Sequence, residues 1–171
     1  MKTAPKITHP GPLVIRPYHE KDVMFYEILY YNARPDIQLI TGSDEFRNSI
    51  AQEQWKMFQT GVEKNYPNAL RFIAEEHKTP IGGFTVDFRH NEVRLIFLGV
   101  IPEARHRGLG TQLLQSVLSA ASKNSSQVTV VAWKSNLRAC QFYSSFGFQV
   151  LEQDHLTQLM TWFPPTTKVI L

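Results

Sequence analysis

Val100-Ile101-Pro102-Glu103-Ala104-Arg105-His106-Arg107-Gly108-Leu109-Gly110-Thr111 is the stretch that decides the fold of this chain. An apolar run ends at Val100, a proline starts a turn, and two glycines open a helical pattern. Leu109, Leu113, Val117 and Ala121 recur every four residues, with Leu114 and Leu118 widening the stripe. A strand-to-helix junction of this kind has a definite chemistry. The first-turn N–H groups lack intrahelical partners, and the helix dipole adds partial positive charge there. Together they bind phosphate without any side-chain charge. Gly108 and Gly110 remove Cβ atoms that would hold a ligand off the amides. Arg105 and Arg107 add charge around His106, and an arginine fork can grip phosphate oxygens. The stretch therefore reads as a site for a small anionic ligand, held by Arg105, His106, Arg107, Gly108, Leu109, Gly110 and Thr111. A tight turn with packing glycines and solubilising arginines fits the same residues. No Gly-Lys-Ser/Thr follows, which excludes a Walker loop. A third glycine and a later acidic residue are missing, which excludes the dinucleotide fingerprint.

Working outward from this stretch, Glu92–Val100 reads as a nearly continuous apolar strand from Leu95 on, central and covered on both faces. Before it, residues 81–88 and 70–74 read as strands. His77-Lys78-Thr79-Pro80 and Arg89-His90-Asn91 are the turns that make an antiparallel meander. Earlier still come a strand at 13–16 ended by Pro17, a helix from Asp22 to Tyr31, a loop over 32–44 and a helix over 45–63. After the glycine stretch, Val128–Ala132 is a β-branched strand. A helix of about four turns precedes it, so it can run parallel to Glu92–Val100. Asn136–Phe146 is a short helix stopped by Gly147, and strands at 148–151 and 155–163 follow. The order is β, two helices, three-strand meander, helix, strand, helix, two strands. The expectation is an α+β fold, one mixed sheet with helices on both faces.

Size and composition set bounds. The 171 residues fit one domain, 1–171, with a loose lead-in at 1–11, a first strand and two helices at 12–69, and a core at 70–163. Cys140 is the single cysteine, and no Cys/His spacing suits a metal. The net charge is +3, with no basic stripe interleaved with aromatics, which argues against nucleic acid. There is no signal-like apolar stretch and no run approaching the roughly 18 apolar residues of a membrane span. The expectation is a soluble cytoplasmic protein without membrane or nucleic-acid partners, monomeric or homodimeric.

A second constellation lies downstream: Asn136-Leu137-Arg138-Ala139-Cys140-Gln141-Phe142-Tyr143-Ser144-Ser145-Phe146-Gly147-Phe148. Asn136 suits a helix N-cap, and Tyr143 follows two turns later. With the first stretch in view, the sequence resembles the GNAT superfamily of acetyltransferases. Val100-x-Pro102-x-x-Arg105-x-x-Gly108-x-Gly110 is similar to that family's Q/R-x-x-G-x-G/A pyrophosphate motif with its usual upstream Val and Pro. Asn136-x-x-Ala139-x-x-Phe142-Tyr143-x-x-x-Gly147-Phe148 is similar to its second motif. Leu159-Met160-Thr161-Trp162 is similar to the last strand of many bacterial members. The resemblance covers residues 70–163; the first helices match in type and order only.

The resemblance implies acetyl-coenzyme A as cofactor and an amine as acceptor, a small molecule or a peptide. It implies that strands 92–100 and 128–132 splay apart. Pantetheine would then pair with the backbone of Leu98, Gly99 and Val100, and the second motif would contribute Asn136, Ala139, Phe142 and Tyr143. It makes Tyr143 the general acid; packing of its helix on the sheet is the plainer role. The usual base position aligns with Arg94, which cannot accept a proton. Glu92, two residues earlier on the same face, is either a base acting through water or a solvated strand-end charge. Arg94 and Trp133 are candidate acceptor contacts, Trp55 is expected in the core, and Cys140 reads as a small buried thiol. Asp36, Asp44 and Glu45 are possible attractors of a cationic amine. The departure at Arg94 leaves room for a non-catalytic acyl-coenzyme A-binding module of the same fold.

Overall fold

The computed structural model describes residues 12–165, so the lead-in at 1–11 lies outside the described residues. Seven strands form one sheet: β1 (Leu13–Pro17), β2 (Leu70–Glu76), β3 (Thr79–Arg89), β4 (Glu92–Val100), β5 (Gln127–Trp133), β6 (Gln149–Gln153) and β7 (Thr157–Trp162), in spatial order β1-β2-β3-β4-β5-β7-β6. Every neighbouring pair is antiparallel except β4 with β5. The helices are α1 (Val23–Asn32), α2 (Pro35–Gln38), α3 (Asp44–Asn65), α4 (Leu109–Lys123) and α5 (Leu137–Ser145).

The two faces carry separate cores. On one, Leu113, Leu114, Val117 and Ala121 of α4 meet Val93 and Leu95 of β4 and Val128 and Val130 of β5, with Tyr143 and Phe148 in the same cluster. On the other, Tyr26, Leu29 and Tyr30 of α1 and Trp55 of α3 enclose Ile73, with Phe97 against them. Trp55 is buried, as the spacing predicts. Tyr26 spans the interface: its hydroxyl bonds Thr85 on β3, and its ring lies 5.4 Å from that of Phe97. Both β2–β3 turn residues, His77 and Lys78, have positive φ, the geometry of a tight hairpin turn; β3 therefore starts at Thr79 rather than Ile81. The 32–44 segment, expected as loop, contains α2, because Pro35 sits at the first helical turn where its missing N–H costs nothing.

Two irregularities in β4 set up the site. Its register against β3 passes from Thr85↔Phe97 to Val86↔Leu95, so Ile96 is an extra residue, a β-bulge. Its pairing with β5 runs only from Glu92↔Gln127 to Leu95↔Val130. From the bulge onward the two parallel strands separate, as the sequence resemblance implies.

Arg16 locks the opposite edge. Its guanidinium donates to Glu75 Oε1 at 2.6 Å and to both oxygens of buried Asp22 at 2.7 and 2.8 Å, joining β1, β2 and the start of α1. The hydrogen bond from Arg16 outweighs desolvation and holds the Asp22 carboxyl at about 2. A carboxyl depressed in the folded state adds stability above its unfolded pKa of ~3.9 and loses it as pH falls towards the folded value. Urea unfolding midpoints are expected to drop between about pH 4 and pH 2, and Asp22→Asn should flatten that drop; an unchanged slope in the variant would show that Asp22 does not supply it.

Candidate active site

Ile101 leaves β4 tied back to β3, its N–H donating to Ile81 O at 2.9 Å. A 3-10 turn at Pro102–Ala104 reverses the chain, and Ala104 is buried beneath it. His106 and Gly108 then adopt positive φ, 62° and 75°. The helix begins with Gln112 N–H donating to Gly108 O at 3.0 Å, and among the described residues no acceptor takes the N–H groups of His106 to Thr111. Left-handed residues so close together turn successive amides inward, a concave nest for an anion. The dipole of α4 reinforces it. A Cβ at Gly108 would meet nothing within 4 Å, and one at Gly110 would meet only Phe142 Cζ at 3.8 Å, so both glycines keep open space over the amides.

That last contact brings the two sequence constellations together. Asn136 caps α5, its Oδ1 accepting from Ala139 N–H at 3.1 Å, and Gly147 takes the left-handed φ of 91° that ends the helix. Both roles follow from the sequence. A cleft of about 420 Å³ lies between α5 and the glycine loop. It is lined by Leu98, Gly99 and Val100 of β4, by Arg105, His106 and Gly108 to Thr111, and by Asn136, Ala139, Phe142 and Tyr143. The end of α1 and the start of α2, Asn32, Ala33 and Pro35, close its far side.

The arginines divide their work differently from the expectation. Arg105 Nε donates to Val100 O at 3.2 Å and its Nη2 to Asn32 O at 3.0 Å, so it ties the loop to the end of α1. Arg107 lies outside the cleft lining and pairs with Glu76, Nη2 to both carboxylate oxygens at 2.7 and 2.6 Å. Both charges therefore organise the loop, and the groups it leaves unpartnered are main-chain amides. Arg138, on the first turn of α5, lines the cleft with no partner among the described residues. The sequence expectation did not include it; its place directly before Ala139 of the second motif was the available signal.

Tyr143 is only 8% exposed and lines the cleft. Its hydroxyl has no hydrogen-bond partner among the described residues, although a buried phenol normally finds one. Burial, with Cys140 nearby, pushes the phenol pKa well above its ordinary value, so it keeps its proton throughout the physiological range. Cys140 itself is half-buried: its Sγ lies 3.5 Å from Trp133 O and accepts from Gln158 Nε2 at 3.1 Å, an arrangement for packing, without a base beside the sulfur.

Glu92 and Arg94 stand at the paired end of β4 and do not line the cleft. Arg94 Nε donates to Thr129 Oγ1 at 2.7 Å and its Nη2 to Glu92 Oε1 at 3.2 Å, while Thr129 donates to the same carboxylate. Arg89 stands 3.8 Å from Glu92 Oε2. Desolvation raises the Glu92 pKa, but Thr129 and the two arginines prevail and hold it below the usual carboxylate range. Asp36 and Asp44 are likewise paired, with Arg34 and Arg47. Trp133, half exposed, ends β5 beyond its pairing with β4.

The chain matches the acetyltransferase (GNAT) family over residues 37–148, and it belongs to that family. Acetyl-coenzyme A is the cofactor of the family. No curated protein matches the sequence. Among solved structures, the fold is similar to PaiA N-acetyltransferase from Thermoplasma acidophilum in complex with coenzyme A, at 21% identity and a TM-score of 0.69, covering 89% of this chain and 99% of that one. An acetyltransferase from Thermus thermophilus shares 16% identity with a TM-score of 0.65, covering 91% of this chain and 99% of that one. Arabidopsis thaliana Naa50 in complex with the bisubstrate analogue CoA-Ac-MVNAL shares 17% identity with a TM-score of 0.58, covering 88% and 97%.

The amide cradle makes a sharp prediction. A glutamate at Gly108 has space, and its strained φ costs about 1–2 kcal/mol, so the fold survives. Its carboxylate would face the ligand's diphosphate, a like-charge contact worth several kcal/mol. Gly108→Glu is expected to weaken coenzyme A binding at least about a hundredfold by calorimetry while its circular dichroism stays that of the wild type.

Proposed function

We propose that this protein is an acetyl-coenzyme A-dependent N-acetyltransferase acting on an amine, organised as a single catalytic domain. One observation carries the reading: a cradle of unpartnered amides at the start of α4 and an unpartnered, proton-holding phenol on α5 face one cleft at the split between β4 and β5. The cleft fits the cofactor. The nest of residues 106–111 would hold its diphosphate, and the free β4 edge at Leu98, Gly99 and Val100 offers main-chain groups to the pantetheine amides. Acetyl-coenzyme A supplies an acetyl thioester, whose carbonyl carbon gains a bond to the acceptor nitrogen and loses its bond to sulfur, the proton shed by the amine balancing the one gained by the thiol.

The chain's own residues do the rest. A β4 main-chain N–H beyond the bulge is placed to donate to a thioester oxygen as negative charge develops. Tyr143 holds a proton at its phenol oxygen and directs it at the leaving sulfur. Burial lifts that phenol far above a free thiol, whose pKa is ~8.5, so it stabilises sulfur charge as a hydrogen-bond donor and gives up no net proton unaided. Glu92, held ionised and paired with Arg94, is a poor base, and the acceptor is read as arriving neutral. Arg138 is the cation left over for the cofactor's phosphates. A non-catalytic binding module is disfavoured, because mere binding gives no reason for an unpartnered phenol at the split.

Thiol release from acetyl-coenzyme A with a panel of amines tests the reading; tight binding without turnover across the panel would favour the module. Tyr143→Phe is expected to lower kcat by about a hundredfold, the lower end for losing one hydrogen-bond donor to developing charge, with coenzyme A affinity changed less than about threefold. Unchanged turnover would remove Tyr143 from the reaction. Arg138→Gln should weaken coenzyme A by about fivefold and flatten the salt dependence of binding, whereas Arg107→Gln, losing its Glu76 pair, should alter that dependence little.

A further inference from the structure

The sheet face opposite α4 and α5 is only half covered. Cross-strand partners share a face, so Arg94, Thr129 and Thr161 form one row on the α1–α3 side, followed by Val131 with Leu159 and Trp133 with Thr157. Over β4 the face is closed, with Phe97 packed on Tyr26 and Phe58. Over β5 it is not. Val131 is 48% exposed and Trp133 52%, whereas Val128, Val130 and Ala132 on the other face are buried. A strand this far inside a seven-stranded sheet ordinarily buries both faces.

The bare residues begin where the split begins. Pairing of β4 with β5 ends at Leu95↔Val130, and Val131 is the next residue. Val131 and Trp133 thus form the β5 rim of the opening whose β4 rim, at Leu98 to Val100, lines the cofactor cleft. Trp133 also touches the Tyr143 helix, its carbonyl lying 3.5 Å from Cys140 Sγ, less than one helical turn before Tyr143. The charged groups described beside this rim are held by partners or stand away from it: Asp154 Oδ2 accepts from Thr157 Oγ1 at 3.2 Å, opposite Trp133, and its Oδ1 from the N–H groups of Leu156 and Thr157. Arg94 and Glu92 neutralise each other one row below, and Glu92 is further held by Arg89 and Thr129. Glu152, opposite Leu159, stands on the edge strand, two strand spacings or about 10 Å from Val131. A cationic group on the acceptor would have to compete with Thr157 and Leu156 for the Asp154 carboxylate, while an apolar one would remove the exposed Val131 and Trp133 from water.

Resting on the acetyltransferase reading, we propose that the acceptor is a primary amine whose nitrogen is flanked by an apolar aliphatic or aromatic group, and that this group is bound by Val131 and Trp133. The chemistry is shared by small apolar amines and by peptides with an apolar first residue. Approach from the α1–α3 side brings the nitrogen through the split, opposite the phenol that faces the leaving sulfur.

The test compares phenethylamine and isopentylamine with ethanolamine and putrescine, and C-terminally amidated peptides beginning with Leu or Phe with those beginning with Gly or Asp. The apolar members of at least one arm are expected to exceed their polar counterparts at least about tenfold in kcat/KM, and the arm that responds identifies the source. Trp133→Ser, or Val131→Ser should the first fail to fold, should collapse that ratio. Calorimetric titration of phenethylamine and of the Leu peptide into the protein–coenzyme A complex gives a readout independent of turnover, and at least one should bind the wild type and lose affinity in the variant. Failure to bind coenzyme A would sink the acetyltransferase reading itself. Coenzyme A binding with a preference for polar acceptors, an equal loss for every acceptor in the variants, or no calorimetric binding of either apolar probe would overturn the inference and leave that reading standing.

Discussion

The structure depends on one hydrogen-bonding constraint: β4 has paired with β5 for four residues and then lost its partner. The bulge at Ile96 re-aims the strand, so its last residues keep β3 on one edge and leave the other edge open. Buried main-chain groups rarely stay unpaired. An opening in mid-sheet is therefore stable only if something else lines it, and here α5, the glycine loop and the end of α1 converge on it. The rest of the site follows from this gap.

The loop after β4 shows the same economy of charge. Two arginines beside two glycines suggest a basic grip on an anion, yet both guanidinium groups are occupied by the protein, one by main-chain carbonyls of β4 and α1 and the other by Glu76. Ion pairing fixes the loop, and the loop then presents neutral amides. Such a cradle is pre-organised, because the left-handed turns at His106 and Gly108 are set before any ligand arrives. Tyr143 follows a similar logic. Burial keeps its phenol protonated, and the hydroxyl lines the cleft free to donate, as the proposed reaction requires.

At the paired end of β4 the polar residues satisfy one another. Arg94, Glu92, Thr129 and Arg89 form one network that extends to Tyr66 and Asp87, and it holds the Glu92 carboxyl below its usual range. In the proposed reaction this leaves the acceptor to arrive neutral, while Val131 and Trp133 stay bare at the rim of the split. The two ends of one strand thus take opposite characters, one a sealed polar network and the other an open edge.

Local pattern determined much of this protein. The strand and helix order, the glycine junction, the Asn136 cap and the left-handed Gly147 are readable because each depends on residues within a few positions of one another, and the motif spacing then fixes which family they serve. α2 escaped because a four-residue helix has no period to detect. Arg105, Arg107 and Arg94 each bond a residue far away in the chain, Asn32, Glu76 and Thr129 at separations of 73, 31 and 35, and no short window on the sequence contains these pairs. The same holds for the gap and its bare rim. Where β5 stops pairing is decided by the competition of two whole strands for hydrogen bonds, and whether Trp133 is covered is decided by which half of the sheet α1 and α3 reach. Those are properties of the packed sheet, and only tertiary structure expresses them.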